Sequence, residues 1–354
     1  MGLHQFLECA VPNDAVTASS LVTWKALRRV DPKARMWASA YDWEAFRGLI
    51  GHYSHYAKVA TSSDICLYHA SCDSPISEFL ADRKETLAVF YHNITPAHFF
   101  ERLDPLLAHR LKVARRQVRE LAQRCSVALA GSHYSAAELQ EWGFPEPTVV
   151  GEYVEQSAYE VEPDSWTLDR LKQEKGDGPA VLFVGRLTPN KAQHKLIEAV
   201  GRVKKRYPSA RLWLAGGSHT PSYAAILQEL ADYWGLGRVF AGKISQAQLI
   251  SYYSAGDIFC CLSEHEGFCI PILEAMRFGC PVIAYAATAV PETAGGAAVL
   301  LESNDPREVA DAIVGLWEDP SRCGELIDAG RKRVETLPTE KEFGEAILRA
   351  LGAL

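Results

Sequence analysis

The sequence has 354 residues, of which 48% are hydrophobic, and this is enough for two globular domains with apolar cores. A net charge of -7 gives no reason to expect nucleic acid as a partner, and no apolar run reaches the length of a membrane span. The cysteines are scattered without a Cys-x-x-Cys pair, which indicates reduced thiols, and the histidines lack metal-ligand spacing. The first residues lack the segments of a signal peptide. We therefore expect a cytoplasmic protein without a bound metal.

The first half of the chain alternates short apolar runs, typical of buried strands, with segments typical of helices. Asp14 can cap a helix that ends near residue 29, and residues 97–124 are predicted to form one long helix, which Pro105 could kink. The polar, acidic residues 160–178 are predicted to be a linker. Strands are predicted at residues 3–7, 34–39, 65–69, 87–91 and 127–130.

The second half of the chain begins the same alternation again. Repeated strand-then-helix order favours parallel sheets with helices on both faces, so each half predicts one Rossmann-like unit. The final residues, 338–354, are predicted to form a helix. Strands are predicted at residues 180–184, 212–215, 239–240, 257–262, 281–285 and 298–301, with helices between them.

One candidate site follows the first strand of the second half, where residues 185–191 read GRLTPNK. Arg186 offers a planar fork of donors and Lys191 a point charge, so the two cations complement each other on a diphosphate. Fixed cations stabilise a leaving diphosphate most where its charge is greatest, in the transition state. The alternative is an ordinary basic loop at a sheet edge.

A second candidate site lies in residues 263–276, which read SEHEGFCIPILEAM. Pro271 fits the start of a helix, because its missing N–H has no partner there. Glu266 then lies in the loop before the helix, and Glu274 lies in its first turn. The positive end of the helix suits a phosphate, and a carboxylate suits hydroxyl groups. The alternative is structural: an acidic helix start, which the helix dipole also favours.

These motifs, with Glu266 and Glu274 placed around Gly-Phe-Cys-Ile-Pro, resemble the signature of family-4 retaining glycosyltransferases. The resemblance implies an α/β protein with the GT-B fold, in which two Rossmann-like domains face each other across a cleft. It places an acceptor-binding domain at residues 1–160 and a nucleotide-sugar donor-binding domain at residues 161–335. Residues 336–354 are then a helix that crosses back to the first domain.

The same resemblance implies roles for residues of the second domain. Glu266 lies near the donor sugar and is assigned as catalytic, while Glu274 binds the ribose hydroxyls. Cys269 stands where such enzymes most often have glycine. Glycines after strands are also ordinary turn residues, so they carry less weight. The residues implied in donor binding are Arg186, Lys191, Gly216, Gly217, Ile244, Phe268, Cys269, Ile270 and Glu274.

In the first domain the resemblance points to the ends of strands. His92 is expected to reach the transferred sugar as a second catalytic residue, and His69 is the weaker candidate. Asn13 and Asp14 are candidates for acceptor binding, although Asp14 could equally serve as a helix cap. The basic helix at residues 97–124 is either a solvated face or a contact with acidic lipids, which would make the protein peripheral at the inner membrane.

The resemblance as a whole implies a retaining, metal-independent glycosyltransferase without a cofactor. Such an enzyme moves a hexose from a GDP- or UDP-linked sugar to a hydroxyl of a glycan or lipid-linked acceptor, as in polysaccharide biosynthesis. One alternative is a nucleotide-sugar 2-epimerase, which needs acid/base carboxylates in the first domain, where the sequence shows no convincing set. Another is a non-catalytic subunit that binds nucleotide sugars.

Overall fold

A computed structural model describes residues 2–12, 14–218 and 220–354. Contacts divide the chain into two compact units. Unit 1 comprises Met1–His98, Pro105–Glu155 and Pro338–Leu354, and unit 2 comprises Phe99–Asp104 and Gln156–Leu337. The units therefore change near residues 155 and 337, where the sequence predicted domain ends at 160 and 335, and the short segment Phe99–Asp104 in unit 2 was not anticipated.

Unit 1 contains a seven-stranded parallel sheet with the strand order β3-β2-β1-β4-β5-β6-β7. Its inner strands are buried on both faces, which is why they read as nearly continuous apolar runs. The strands are β1 Leu3–Ala10, β2 Arg35–Tyr41, β3 Ile50–His52, β4 Ile65–Ala70, β5 Thr86–Tyr91, β6 Cys125–Ala130 and β7 Thr148–Val149.

Unit 2 contains a six-stranded parallel sheet with the strand order β10-β9-β8-β11-β12-β13. The central strands β8 and β11 pair directly, so the loops that follow them leave the same edge of the sheet. The strands are β8 Ala180–Val184, β9 Arg211–Ala215, β10 Phe240–Gly242, β11 Ile258–Cys261, β12 Val282–Tyr285 and β13 Val299–Leu301.

Helices cover both sheets, as expected for parallel strands joined by crossover connections. Among the helices that the structure describes, none combines the length and the apolar character that crossing a membrane requires. The helices are α1 Ala15–Val30, α2 Trp43–Phe46, α3 Pro75–Ala81, α4 Pro105–Glu120, α5 His133–Glu141, α6 Ser165–Glu174, α7 Gln193–Val203, α8 Pro221–Tyr233, α9 Gln246–Ala255, α10 Ile270–Arg277, α11 Val290–Ala294, α12 Pro306–Trp317, α13 Pro320–Glu335 and α14 Glu340–Ala350.

The long helix predicted for residues 97–124 is wrong. Ala97–Phe99 form a single 3-10 turn, and Pro105 begins α4 instead of kinking a longer helix. Proline is favoured in a first turn, where its missing N–H costs nothing. The residues before α4, Phe99–Asp104, belong to unit 2, where the carbonyl of Leu103 accepts a 2.9 Å hydrogen bond from the Ser222 hydroxyl.

The linker predicted for residues 160–178 is also wrong, because it contains α6. The side chain of Asp164 caps this helix by accepting a 2.8 Å hydrogen bond from the Thr167 N–H. Only Thr167 and Leu171 are buried on α6, so the helix shows too little apolar periodicity to be recognised from sequence.

The last helix, α14, belongs to the core of unit 1. Phe343 is fully buried in one cluster with Leu27 and Phe90. Gly344 faces Ala26 of α1 so closely that a Cβ at position 344 would lie 2.6 Å from that alanine's own Cβ. Helix α14 therefore completes a hydrophobic core that begins more than 300 residues earlier in the chain.

Backbone hydrogen bonds join the loops at the carboxyl edge of the unit 2 sheet. The Gly185 N–H donates to the Ala215 carbonyl at 2.9 Å, and the Gly216 N–H donates to the Gly242 carbonyl at 3.0 Å. Gly216 has a φ of +145°, and a Cβ there would lie 2.0 Å from the Gly185 carbonyl oxygen. Only glycine fits this crossing of two backbones.

Replacing Gly216 with alanine is expected to destabilise the protein by about 3 kcal/mol, because the added Cβ overlaps backbone and the φ value disfavours any side chain. Urea unfolding measures this free energy. Gly217→Ala is the matched control, since a Cβ at position 217 meets nothing within 4 Å and the residue does not have a positive φ. The control should change stability by about 0.5 kcal/mol or less. Equal losses in the two variants would contradict this account of Gly216.

Candidate functional site

Two sequence motifs that lie about 75 residues apart meet at the carboxyl edge of the unit 2 sheet. The loop after β8 and the loop after β11 are joined through Asn190, which is buried. Its carbonyl accepts from the Glu264 N–H at 2.8 Å, and its side-chain amide donates to the His265 carbonyl at 3.2 Å. The pairing of β8 with β11 thus places the GRLTPNK loop against the loop that contains Glu266.

At this junction Lys191 and Glu266 form an ion pair. The Lys191 Nζ lies 2.5 Å from the Glu266 Oε1, and the two side chains are 16% and 10% exposed. The Glu266 backbone is also held, because its N–H donates to the Thr288 Oγ1 at 2.9 Å. The sequence predicted both residues for the donor site, but it did not predict that they contact each other.

The ion pair keeps both partners charged. Burial by itself would lower the pKa of Lys191, but the Glu266 carboxylate outweighs burial, and the net shift is upward. Burial likewise would raise the pKa of Glu266, but the Lys191 ammonium and hydrogen bonds from Ser263 and Cys269 bring it below its ordinary value. At neutral pH the junction therefore holds an ammonium and a carboxylate in direct contact.

Arg186 supplies a second cation at the same edge. The residue is exposed, and within the part of the chain that the structure describes its guanidinium has no ion-pair partner. Its backbone is held in place, since the carbonyl of Arg186 accepts a 2.9 Å hydrogen bond from the Gln193 side-chain amide. Arg186 is thus an exposed cation, without an ion-pair partner among the described residues, in the same loop as Lys191.

Helix α10 presents open backbone donors. In the described part of the chain, the N–H groups of Phe268, Cys269 and Ile270 have no acceptor. Cys269 is the residue before the helix and has a φ of +83°, a value that glycine adopts far more readily. Such a helix start attracts an anion. Because α10 begins at Ile270, the prediction that Glu274 lies in its first turn is wrong, and Glu274 lies one turn further in.

Two tyrosines, neither predicted from the sequence, hold Glu274. The Tyr159 hydroxyl donates to the Glu274 Oε1 at 2.5 Å, and the Tyr253 hydroxyl donates to the Oε2 at 2.6 Å. Tyr253 is itself fixed by stacking on Phe278, with ring centroids 5.6 Å apart. Burial raises the pKa of Glu274, and the two hydroxyls offset only part of that shift. Both carboxylate oxygens are oriented, and each keeps a lone pair for a ligand.

Backbone strain is concentrated at these loops. In the described residues four non-glycine positions have a positive φ, namely Asn93, Ala192, Cys269 and Thr288. Three of them flank the site in unit 2, and Thr288 is β-branched, which makes a φ of +52° especially unfavourable. Such conformations persist only where the surroundings enforce them, and they cluster at functional sites.

The remaining predicted donor residues lie at the same sheet edge. Gly216 and Gly217 follow β9, and a side chain at Gly217 would meet open space. Ile244 follows β10 by two residues and is half-buried. The topology therefore brings the predicted donor residues to the loops after β8, β9, β10 and β11 and to helix α10, which follows the last of these loops.

Unit 1 contains a buried, hydrogen-bonded network of polar side chains that come from β1, α1, β4 and the segments after β5 and β7. The Gln5 side-chain oxygen lies 2.9 Å from the His69 Nε2, and the His69 Nδ1 lies 2.9 Å from the His92 Nε2. The network continues from the His92 Nδ1 to the Glu152 Oε1 at 2.9 Å, and the Ser19 hydroxyl donates to the Glu152 Oε2 at 3.2 Å. Gln5, Glu152 and Ser19 were not predicted.

The donors and acceptors of this hydrogen-bond network determine which ring nitrogens of its histidines carry protons. Gln5 uses its amide N–H to donate to the Ser20 carbonyl, so its oxygen accepts from His69. A neutral His69 that donates from Nε2 must accept at Nδ1, so His92 donates from Nε2. One further proton then lies between the His92 Nδ1 and Glu152.

Both ring nitrogens of His92 are therefore occupied, and its side chain is only 2% exposed. The predicted contact between His92 and a sugar would require one of these hydrogen bonds to break. Asp14 caps α1 by accepting from the Thr17 N–H at 2.9 Å. Asn13 lies outside the described residues.

Residues 164–333 match the family described as glycosyl transferases group 1. This segment is similar to the group 1 glycosyltransferases. The matched segment covers nearly all of unit 2, including both loops of the ion pair. The two parallel-sheet units and the structural similarities below confirm the predicted GT-B fold.

Comparison with known proteins extends the similarity beyond the segment that matches this family. The chain is 28% identical over 234 residues to the GDP-mannose-dependent alpha-(1-6)-phosphatidylinositol monomannoside mannosyltransferase of Mycolicibacterium smegmatis. That match covers 62% of this chain and 60% of the relative. It is 33% identical over 171 residues to D-inositol 3-phosphate glycosyltransferase 2 of Catenulispora acidiphila, which covers 45% of this chain and 39% of the relative. The chain thus matches about three-fifths or less of the length of these relatives.

Solved structures resemble the chain over almost its whole length. Anabaena Alr3699/HepE in complex with UDP and glucose matches with a TM-score of 0.76 and 20% identity, over 99% of this chain and 100% of that protein. Sucrose-phosphate synthase from Thermosynechococcus elongatus matches with a TM-score of 0.77 and 18% identity, over 100% of both chains. At these identities the similarity establishes the fold.

Glu266→Gln is expected to destabilise the protein by about 3 kcal/mol at pH 7, because it leaves the Lys191 ammonium buried without its counter-ion. The lowered pKa of Glu266 contributes stability that is complete above its ordinary value of 4.5 and is lost as the pH falls through the lowered value. The raised pKa of Lys191 contributes stability that is complete below 10.5 and is lost as the pH rises through the raised value. The difference between wild type and variant should therefore be greatest between these two values, and urea unfolding across this range measures it.

Glu318→Gln is the control, because Glu318 pairs with Arg206 on the surface, where the two side chains are 38% and 62% exposed. Its cost should be about 1 kcal/mol or less. A loss for Glu266→Gln no larger than that of the control would contradict the account of a buried pair.

His69 is expected to stay neutral, with its proton on Nε2, between about pH 6 and pH 8. Burial, with the charge of His92 as the smaller cause, holds the pKa of His69 well below its ordinary value of 6.5. The ¹⁵N chemical shifts of the imidazole report both the tautomer and the charge, and the spectrum of His69→Gln identifies the resonance. A titration midpoint inside this range, or a proton on Nδ1, would contradict the proposed proton positions.

Proposed function

We propose that this chain is a retaining, metal-independent glycosyltransferase that moves a hexose from a GDP- or UDP-linked sugar to a hydroxyl of a glycan or lipid-linked saccharide. The observation that carries the proposal is the convergence in unit 2 of an unpaired arginine, a buried lysine–glutamate pair and an open helix start. Each of these groups suits one part of a nucleoside-diphosphate sugar. The family match and the relatives' names support the same class of reaction.

In this proposal Arg186, Lys191 and the N–H groups of Phe268 and Ile270 bind the diphosphate. Arg186 is available without losing any partner, whereas Lys191 must share its ammonium with Glu266. As the bond to the sugar breaks, negative charge grows on the diphosphate, and fixed cations stabilise that state more than the ground state. Two cations and a helix start supply the charge that a divalent metal supplies in other phosphate sites, so this step needs no metal.

The Lys191–Glu266 contact gives Glu266 a role that depends on the donor. When a phosphate oxygen competes for the Lys191 ammonium, the Glu266 carboxylate gains capacity to accept a hydrogen bond from another group. A sugar hydroxyl is a suitable donor for it. Glu266 would thus orient the hexose only when the diphosphate is in place, which couples the binding of the two parts.

Glu274 and the loop that contains Gly216 and Gly217 are proposed to bind the nucleoside. The carboxylate of Glu274 is oriented by two tyrosine hydroxyls and can accept from two neighbouring ribose hydroxyls. Gly217 leaves room for close approach, and Ile244 lies at the edge where the base is expected. The base remains assigned as guanine or uracil, because one relative is named as GDP-mannose-dependent and one structural neighbour is in complex with UDP.

Retention is proposed because the site motifs resemble those of retaining glycosyltransferases, and no side chain among the proposed site residues is an obvious nucleophile for a double displacement. The proposed reaction has the acceptor hydroxyl attack from the face that the diphosphate leaves, with a phosphate oxygen taking the proton. Unit 1 is assigned to the acceptor and Asp14 to acceptor binding, while His92 is proposed as a catalytic residue that reaches the transferred sugar once one of its two hydrogen bonds breaks. The named relatives act on phosphatidylinositol monomannoside or on inositol 3-phosphate, so a hydroxyl-rich acceptor is proposed.

Arg186→Ala is expected to weaken binding of the preferred nucleoside diphosphate about 10- to 100-fold, because one charge-assisted hydrogen bond to a phosphate is lost. Isothermal titration with GDP and UDP in the presence of EDTA measures this affinity. The matched control is Arg322→Ala, since Arg322 is an exposed arginine of α13 in the same unit. Its affinity should equal that of the wild type.

A reaction with donor and acceptor tests the proposed transfer and its stereochemistry. With GDP-mannose or UDP-glucose and a mannosylated or inositol-phosphate acceptor, the product should keep the anomeric configuration of the donor, as measured by NMR. Binding that requires a divalent metal would contradict metal independence, and inversion would contradict retention. Interconversion of the donor sugar without an acceptor would instead support the epimerase, and binding without turnover by the purified protein would support a non-catalytic subunit.

A further inference from the structure

Three buried side chains that carry soft or anionic ligand atoms converge beneath the donor loops. The Cys261 Sγ, the Cys269 Sγ and a Glu266 carboxylate oxygen all lie within 4.8 Å of one another. Cys261 ends β11, and Cys269 precedes α10, so the sheet and the helix start supply one sulfur each. The sequence showed no such grouping, because the ligands are spaced by five and three residues in a segment without a known metal motif.

The separation of the two sulfurs matches a tetrahedral metal site. They lie 3.7 Å apart. Two thiolates bound to one zinc at about 2.3 Å each, in tetrahedral geometry, lie about 3.8 Å apart. Both cysteines are free, and their sulfurs are in contact without a bond between them.

We propose that Cys261, Cys269 and Glu266 form a binding site for a soft divalent cation such as Zn²⁺, and that a cation bound there excludes the nucleotide-sugar donor. Thiolate sulfur and carboxylate oxygen are both ligands that zinc accepts, and three protein ligands leave the fourth tetrahedral position open for a water molecule. The Glu266 carboxylate has two oxygens, so one can bind the cation while Lys191 keeps its contact with Oε1.

The charges of the filled site balance. Binding releases both thiol protons to solvent, and the resulting two thiolates and the carboxylate offset the divalent cation and the Lys191 ammonium. A buried cluster of zero net charge avoids most of the cost of placing a divalent ion in the interior.

A bound cation would exclude the donor because Cys269 and Glu266 belong to both sites. This exclusion rests on the proposed function. Cys269 lies between Phe268 and Ile270, whose N–H groups are proposed to bind the diphosphate. Glu266 is proposed to accept from the hexose once Lys191 turns to the phosphate. A cation bound to Cys269 and Glu266 would hold the backbone around Cys269 and the Glu266 carboxylate in positions that do not fit the donor.

The test is a titration of the reduced, chelator-treated full chain with Co²⁺, which gives a strong thiolate-to-cobalt absorption when cysteine binds it. The wild type should bind one Co²⁺ per chain with this absorption, and Zn²⁺ should displace it. Cys261→Ala and Cys269→Gly should each weaken Co²⁺ binding at least tenfold and lose most of the absorption. Cys260→Ala is the matched control, because Cys260 is a buried cysteine of the same strand that lies in the hydrophobic core of unit 2, and it should behave as the wild type.

The second arm measures GDP and UDP binding with and without Zn²⁺. Zn²⁺ should weaken nucleotide binding at least tenfold in the wild type and leave it unchanged in Cys261→Ala, whose thermal melting shows whether it is folded. The absence of the thiolate absorption in the wild type, or its persistence in both cysteine variants, would overturn the cation site. Nucleotide affinity in the wild type that is the same with and without Zn²⁺ would overturn the exclusion. A wild type that shows the absorption but binds no nucleotide would overturn the proposed function while supporting the cation site.

Discussion

The ion pair between Lys191 and Glu266 is the constraint on which the unit 2 site depends. It connects the loop after β8 to the loop after β11 and places an ammonium and a carboxylate in contact where water has little access. Removing two charges from water is costly, and the pair is tolerated because each partner neutralises the other. A ligand that binds either partner must therefore compensate the other one, and this requirement favours a ligand that carries both phosphate and hydroxyl groups.

The backbone around this pair is unusually constrained. Glycines allow the loops after β8 and β9 to cross at a separation that no side chain would permit, as at Gly216. Cys269 and Thr288 instead hold positive φ values at a conformational cost. The surrounding parallel sheet, with central strands that are almost completely buried, is stiff enough to impose these conformations. The rigid sheet and the strained loops thus act together to hold donors and charges in fixed positions.

Unit 1 is organised around a hydrogen-bond network and not around an ion pair of this kind. In the network from Gln5 to Glu152, the proton that one side chain donates determines which atom of the next side chain must accept. Such a network orients His92 but also occupies it. Any role of His92 therefore depends on the residues that hold its ring, and Glu152 is the one that contacts its Nδ1.

Much of this architecture could be predicted from the sequence, because apolar periodicity reports burial directly. The central strands were found for this reason, and so was the convergence of donor residues at one sheet edge, since the ends of parallel strands meet there. Elements with weak periodicity were missed or misplaced. Helix α6 buries few residues, and the segment at Phe99–Asp104 packs in unit 2 although its neighbours in sequence belong to unit 1. No local pattern encodes either fact.

The sequence by itself determined the residue types of the site: two cations, two carboxylates and a helix start with proline, each tied to a strand end. Only the tertiary structure decided which of them contact each other. The Lys191–Glu266 pair, the two tyrosines on Glu274 and the two sulfurs beside Glu266 all join residues that come from different elements. Side-chain contacts of this kind depend on strand order and loop conformation, which arise from the packing of the whole unit and leave no spacing rule in the chain.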